Sequence, residues 1–533
     1  MTNRRDFLKA AAAVTALPAA ALYSRDWALA AEGRKGGHLA VSLVPEPAGL
    51  IGGLYHANPS IVVSQNLFDG LVTYDADLNP VPQLATSWTK SQDGKVVTLK
   101  LREGVKWHDG QPFTSADVKF SIETIKATSP VAGPTYATLT DIGTPDAHTV
   151  VLTFSHPSQA LWSVLDGAKT QILPRHLYEG APAITNPLNV KPVGNGPFIF
   201  KEWVRGSHIK LTRNPDYWDK SRPFVDELTF RIIPDAGARA AAFETGEVQY
   251  APLPAIPLLD AEKVAARPGG YAIQTSGWEA NAPMYSFEFN LDRPTFKDIR
   301  VRQAFAHAID RELLARNGFY GFATPATGPV PSYQKRFYTG ETEQYPFDPK
   351  KAEALLDAAG LKRGADGIRL RIDNLPIPYS QDFVRAAQLI QQSLKRVGIQ
   401  VEIRNFDVAT FFGKLYKERD FDTTSTFAAA FADPQIGVFR RYWSKAKVTT
   451  SGGNISGYQS AEADRLIEAS LIEGDPDKRR ALIQQLQILA QRDLPSVNLL
   501  ELKFFRVVSN QIEGVNQTPF GAFTSVADVA FKA

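Results

Sequence analysis

The sequence predicts an α/β protein built from two or three structural units. Three observations lead there. The chain has 533 residues, 44% of them hydrophobic, which is ample for a large core and too long for one ordinary domain. Its first half carries alternating strand patterns, whereas its second half is rich in amphipathic helices. Between Leu370 and Ile403 one such helix is flanked by two strand patterns, a β-α-β unit that calls for a parallel sheet.

The chain begins with a targeting segment over residues 1–30. A basic start (Arg4, Arg5, Lys9) precedes an apolar run from Ala10 to Leu22, and Ala28-Leu29-Ala30 offers small residues at a cleavage site. The run is too short to span a bilayer, and no later stretch of about 20 apolar residues exists. Four basic and two acidic residues here account for +2 of the net +3, so the body is close to neutral. A neutral body has no electrostatic footprint for nucleic acid. The absence of cysteine excludes disulfides, thiolate chemistry, Cys-ligated metals and a lipidated N-terminal Cys.

Next comes "VVTLKLREGVKWHDGQPFTSADVKFSIETI". Val97, Leu99 and Leu101 alternate in a strand, Glu103-Gly104 make a turn, and Val105 and Trp107 predict a return arm. Thr114 to Asp117 then form a capping-box-like start for a helix carrying Val118, Ile122 and Ile125 on one face. "GNGPFIFKEWVRGSHIKLTRNPDYWDK" opens with Gly194-x-Gly196, which resembles a phosphate loop. However, Phe198 and Phe200 alternate with Ile199 and Lys201 as a strand, with Val204 as its extension. Arg205-Gly206-Ser207 turns the chain, and Ile209 and Leu211 lead back. No helix follows, and Pro197 removes an amide that a phosphate would need, so the segment is a hairpin entered through a turn.

In the second half, Val301, Phe305, Ala308, Ile309 and Leu313 predict one helical stripe. Asp348 caps a helix that begins at Pro349 and stops before Gly360. The helix of the β-α-β unit is closed by Gly398, and Ile399, Val401 and Ile403 alternate beyond it. Asp475-Pro476 starts a further helix with Leu482, Ile483, Leu486 and Leu489 inward. Residues 496–508 form a last apolar strand-like run.

"NRRDFLK" resembles the twin-arginine export signal, with Asn3 where Ser or Thr is usual. "VPQLATSWTKSQDGKVVTLKLREGVKWHDGQPFTSADVKFSIE", the 194–220 stretch, "DIRVRQAFAHAIDRELL", "FDPKKAEALLDAAG" and "FADPQIG" together resemble the family 5 extracellular solute-binding proteins, the peptide, nickel and opine receptors of ABC importers. The resemblance spans nearly the whole mature chain. It implies the two-lobed periplasmic-binding-protein fold (Venus flytrap, class II, with an extra subdomain in lobe one). Lobe I would comprise 31–75, 194–285 and 506–533, with 76–193 inserted, and lobe II would be 286–505. It further implies a monomeric, non-enzymatic periplasmic receptor that works with ABC permease subunits, while the N-terminal signal implies the twin-arginine machinery. A ligand-sensing or holdase protein and an exported hydrolase are the rival readings.

The eight histidines have no ligand-like spacing, so no metal or cofactor is expected. No Walker loop, Gly-x-Ser-x-Gly or His-Glu-x-x-His occurs, so no catalytic residue is assigned. A receptor for free peptides needs an enclosed acid for the ammonium, because stripping one partner from a buried ion pair costs about 3–5 kcal/mol. The resemblance places that acid at Ala430 and a Trp at Phe427, and neither is present. A carboxylate-binding Arg is likewise replaced by Ile377, beside Pro378-Tyr379. The expected ligand is therefore a peptide-like or opine-like small acid. Arg440 and Arg441 are candidates for an anion fork, with pairing to surface acids as the alternative. Further lining candidates are Glu46, Asn66, Trp278, Glu279, Tyr379, Phe427 and Ala430, with capping as the alternative for Asn66 and hinge packing for Trp278 and Glu279.

Overall fold

The computed structural model describes residues 33–266, 270–446 and 453–533, so the export-signal segment lies outside the described residues. Two mixed sheets organise the chain. The first runs, edge to edge, Tyr271–Gln274, Arg506–Ser509, Tyr250–Ala251, His38–Leu43, Glu227–Ile232, His208–Arg213 and Phe198–Val204. Its centre is parallel, since His38–Leu43 pairs in parallel with both Glu227–Ile232 and Tyr250–Ala251. Five consecutive residues of the central strand, Leu39 to Leu43, are buried, as a strand covered on both faces requires.

The second sheet runs Ala323–Pro325, Ser496–Leu502, Pro283–Phe289, Thr423–Ala429, Leu370–Pro376 and Ile399–Ile403. The expected β-α-β unit is present. Leu370 pairs with Ile399 in parallel register, and the helix Gln381–Arg396 crosses between the strands. Gly398 ends it at φ +84°. Asp348 and Asp475 cap their helices as expected, each accepting from backbone N–H groups of the first turn. The hairpin of Phe198–Val204 and His208–Arg213 is also present, with Gly206 at φ +72°.

Three expectations are corrected. Val105 and Trp107 do not make a return strand. Both edges of Val96–Leu101 are taken, by Ala85–Lys90 and Thr149–Phe154, in a four-stranded antiparallel sheet. The chain beyond Gly104 folds on itself instead, with Phe113 N–H donating to Val105 O at 3.0 Å, and buries both side chains. The stripe from Val301 to Leu313 is interrupted. The helix stops at Ala308, and Asp310 caps a new short helix by accepting from Leu313 N–H at 2.9 Å, a local bond that competes with continuing the first one. Leu314, rather than Leu313, then enters the core. Finally, the run 496–508 is two strands, one in each sheet.

That division creates a crossing. The chain leaves the first sheet after Gln274, enters the second at Pro283, and returns between Leu502 and Arg506. Trp278 on the outward crossing packs edge-on against Phe504 on the return, with centroids 5.0 Å apart. Buried Arg506 donates to Asn516 O (2.6 Å), Gln274 Oε1 and Ser276 Oγ (each 3.2 Å). Gly277 lies against that guanidinium at φ +92°, where a Cβ would meet Cζ at 2.9 Å, so a side chain is excluded there. The structure is therefore two sheet-centred lobes joined at a pinned crossing.

Gly194 and Gly196 are likewise close-approach residues. A Cβ at Gly194 would lie 1.8 Å from Leu67 O, and Gly196 N–H donates to that same carbonyl at 2.9 Å. His108 holds the loop, accepting from Gly194 N–H and facing Gly196 O, each at 3.1 Å. The aromatic pair of "PDYW" grips a buried acid: Trp218 Nε1 (2.6 Å) and Tyr217 Oη (3.0 Å) donate to Asp69 Oδ2. This conspicuous stretch is thus scaffolding.

Candidate functional site: the cleft between the lobes

The cleft is closed by a loop over residues 430–438 of the second lobe. Ala430 and Phe431 extend the sheet pairing, donating to Ala282 O (2.9 Å) and Asn281 O (3.1 Å). Phe431 then adopts φ +55°, which turns the chain off the sheet. Asp433 ties the turn by accepting from Gln435 N–H at 3.0 Å. Gly437 passes so close to Ala430 that a Cβ would lie 2.3 Å from its carbonyl oxygen. Arg479, from the helix Pro476–Asp493, clamps Asp433 through two bonds of 2.8 Å. Burial pushes the Asp433 carboxyl up, but the Arg479 charge and hydrogen bonds outweigh this and hold it below the usual carboxylate range.

This loop seats Ile436 and Phe431 against the hydrophobic core of the first lobe. A small cavity remains between the lobes, lined by Tyr74, Leu78, Ser163, Lys169, Ala280, Phe520, and Ala432 and Ile436 from the loop. Its volume of about 20 Å³ is room for about one water. One ammonium faces it. Lys169 is only 8% exposed, with Nζ 2.8 Å from Asp166 Oδ2 and 4.7 Å from the centroid of the Phe520 ring. Asp166 also accepts from the backbone N–H of Ala168 (2.9 Å) and Lys169 (3.2 Å), which fixes the turn carrying the lysine. The Tyr74 hydroxyl lies between Trp162 O (2.7 Å) and Asp166 Oδ2 (3.1 Å). Burial and then the Asp166 charge push this hydroxyl far up, so it stays protonated.

Hydrogen bonds between described residues bridge the two lobes. Arg440 Nη1 donates to Pro130 O at 3.0 Å, and Gln159 Nε2 donates to Gly474 O at 2.6 Å. Beside Arg440, burial and the guanidinium charge push the His56 imidazole down to about 4.

The sequence-predicted residues fare unequally. Arg440 and Arg441 do not form one fork, because neighbours on a helical turn point about 100° apart. Arg440 reaches the first lobe, while Arg441 turns inward to an ion pair with buried Glu288. Asn66 is a buried cap: it donates to Val62 O and accepts from Ser525 Oγ (3.1 Å) and Val526 N–H (2.9 Å). Glu46 accepts from Trp203 Nε1 (2.9 Å) and Gly206 N–H (3.2 Å), which ties it to the hairpin turn. Trp278 packs the crossing, and Glu279 accepts from Gly277 N–H at 2.7 Å. Phe427 stacks on Phe383 (5.4 Å, 12°) and touches Phe504 and Tyr379. Tyr379, 51% exposed, is the outer member of that aromatic group. Ala430 lies at the base of the closing loop and adds no charge.

Sequence reasoning did not single out Lys169, Tyr74, Ala432, Ile436 and Phe520, which line the cavity. The available signal was Asp166 and Lys169 at i,i+3 between the apolar runs Val164–Leu165 and Ile172–Leu173, a charged pair with nowhere to go but inward. A further buried acid, Glu501, lies on the strand that pairs with the opposite edge of Pro283–Phe289 from Thr423–Ala429. Burial pushes its carboxyl up, and Ser332 donates to its two oxygens through N–H (2.8 Å) and Oγ (2.9 Å). Among the described residues, no group of three or more His, Asp or Glu is arranged to hold a metal ion, and no helix is long and apolar enough to cross a membrane.

Two lobes, a double crossing and a residue-lined slot between them define a class II periplasmic-binding-protein fold. Residues 79–450 match the bacterial extracellular solute-binding proteins, family 5 (middle), and residues 1–21 match the twin-arginine translocation pathway signal sequence. The chain belongs to that family. A Brucella ovis protein named as an ABC transporter peptide-binding protein is 32% identical over 466 residues, covering 85% of each chain. The dipeptide-binding protein of Escherichia coli is 26% identical over 494 residues, covering 85% of this chain and 90% of the relative. The solved structure of the PBP AgaA from A. tumefaciens R10 in complex with agropinic acid is 27% identical with a TM-score of 0.80, covering 93% and 99% of the two chains. The chain is thus a substrate-binding protein of an ABC importer, exported to the periplasm by the twin-arginine route.

Proposed function

We propose that this receptor captures a peptide-like or opine-like small acid between its lobes and delivers it to its permease as a monomer, without chemical turnover. Residues 31–75, 194–285 and 506–533, with 76–193 inserted, act as one lobe, and 286–505 act as the other. The observation that carries the reading is the slot lined by both lobes, with Lys169 on one wall and the loop 430–438 on the other. Ligand binds the open form and favours the closed one only through contacts that both lobes make together. Ala430 supports an acid over an ordinary peptide, since it supplies no charge for an ammonium, and both oxygens of Glu501 are already bonded by Ser332. Relatives named for dipeptides and structures named for agropinic acid bracket the chemistry. Mass spectrometry of the ligand released from protein isolated from periplasm tests this. A compound with a carboxylate and no free α-amine is expected; an unmodified peptide would overturn it.

A further inference from the structure

We propose that the Lys169 ammonium is the anchor for the ligand's carboxylate, which makes the slot beside Tyr74 and Phe520 the anion subsite of this receptor. The inference rests on the capture reading above and gives it a residue. An ammonium has three N–H donors. One is directed at Asp166 Oδ2, 2.8 Å away, while the group as a whole lines the cavity and sits over the Phe520 ring at 4.7 Å. Donor capacity is therefore left facing the space between the lobes.

The acid beside it is already committed. Asp166 receives two backbone N–H groups and Lys169 Nζ, and it is approached by the Tyr74 hydroxyl. It holds the lysine in place and has little capacity left for a ligand's amine. The two arginines proposed from sequence are directed elsewhere, to Pro130 O and to Glu288. Among the described residues lining the slot, the second lobe contributes Ala432 and Ile436, apolar groups that strengthen a charge-assisted bond opposite Lys169. The space left in the closed form suits about one water, so a carboxylate enters only when the loop 430–438 draws back. Entry to Lys169 therefore needs the open form, and the loop closing over the bound carboxylate favours the closed one.

The test uses a small-metabolite extract split by ion exchange into acidic, neutral and basic fractions, with thermal shift as the readout. The acidic fraction is expected to raise the melting temperature of the parent protein, to lose that effect on Lys169→Met, and to keep a reduced effect on Lys169→Arg. An equal shift on Lys169→Met, or a parent shifted only by neutral or basic fractions, overturns the anchor while leaving the capture reading intact. No shift of the parent by any fraction overturns both. Should Lys169→Met fail to fold, Ala432→Asp decides. Its carboxylate would occupy the ammonium from the opposite wall and abolish the shift, and an undiminished shift in that variant sinks the proposal.

Discussion

Arg479 and Asp433 meet through two parallel hydrogen bonds of 2.8 Å, with side chains only 2% and 4% exposed. The pair joins the helix Pro476–Asp493 to the loop that closes the cleft, so it fixes the loop that carries Ile436 to the first lobe. Removing one partner strands a buried charge, at a cost of about 3–5 kcal/mol. Arg479→Met should therefore lower stability by that amount in urea unfolding, and Arg479→Met with Asp433→Asn should recover much of it. Equal losses in the single and double variants would show that the geometry of the clamp, not its charge balance, matters.

Asp69 predicts an acid-side effect. Burial pushes its carboxyl up to about 6, against the pull of hydrogen bonds from Trp218, Tyr217 and Gln83. A carboxyl raised in the folded state favours folding when protonated. Its contribution is greatest below its unfolded pKa near 4 and is lost as pH rises toward 6. Two units correspond to about 3 kcal/mol. Relative to Asp69→Asn, the parent should gain about 2–3 kcal/mol as pH falls from 7 to 4, read from urea unfolding at each pH. A pH-independent difference between the two proteins would contradict this.

His108 works in the opposite sense. Burial lowers it to about 4, although the Gly196 carbonyl and Asp109 pull the other way. The neutral ring donates to Gly196 O while accepting from Gly194 N–H, a role that its doubly protonated form cannot fill. A histidine lowered on folding supplies stability that is complete above its unfolded value near 6.5 and fades as pH falls toward 4. Two and a half units correspond to about 3 kcal/mol. His108→Gln should be less stable than the parent at pH 7, with the gap closing near pH 4. A gap that stays constant would rule out the titration.

What was legible in the sequence follows the range of the interactions. Gly398 ending a helix, Asp348 and Asp475 capping, and the β-α-β unit from Leu370 to Ile403 are set by neighbours within a few residues, and each reads directly from the chain. The return arm at Val105 failed because strand edges are filled by partners distant in sequence, Ala85–Lys90 and Thr149–Phe154. The site suffered most. Arg440 and Arg441 look like one fork when read as neighbours, yet a helical turn sends one to Pro130 and the other to Glu288. Lys169 and Ile436 meet only because two lobes close, and no local pattern encodes that.

Arg440 Nη1 to Pro130 O and Gln159 Nε2 to Gly474 O link opposite lobes at 3.0 and 2.6 Å. A hydrogen bond from a charged donor contributes about 1.5–3 kcal/mol, and from a neutral one about 1 kcal/mol. Arg440→Ala should thus shift the open–closed balance toward open by roughly tenfold or more, and Gln159→Ala by less. The chain has no native cysteine, so spin labels can be placed cleanly at Glu123→Cys and Lys350→Cys, both at exposed positions and one in each lobe. Pulsed electron spin distance measurements should show a longer, broader distribution in Arg440→Ala, and ligand affinity should fall by the same factor. Closed lobes and parental affinity in that variant would mean that the Pro130 contact follows closure without holding it.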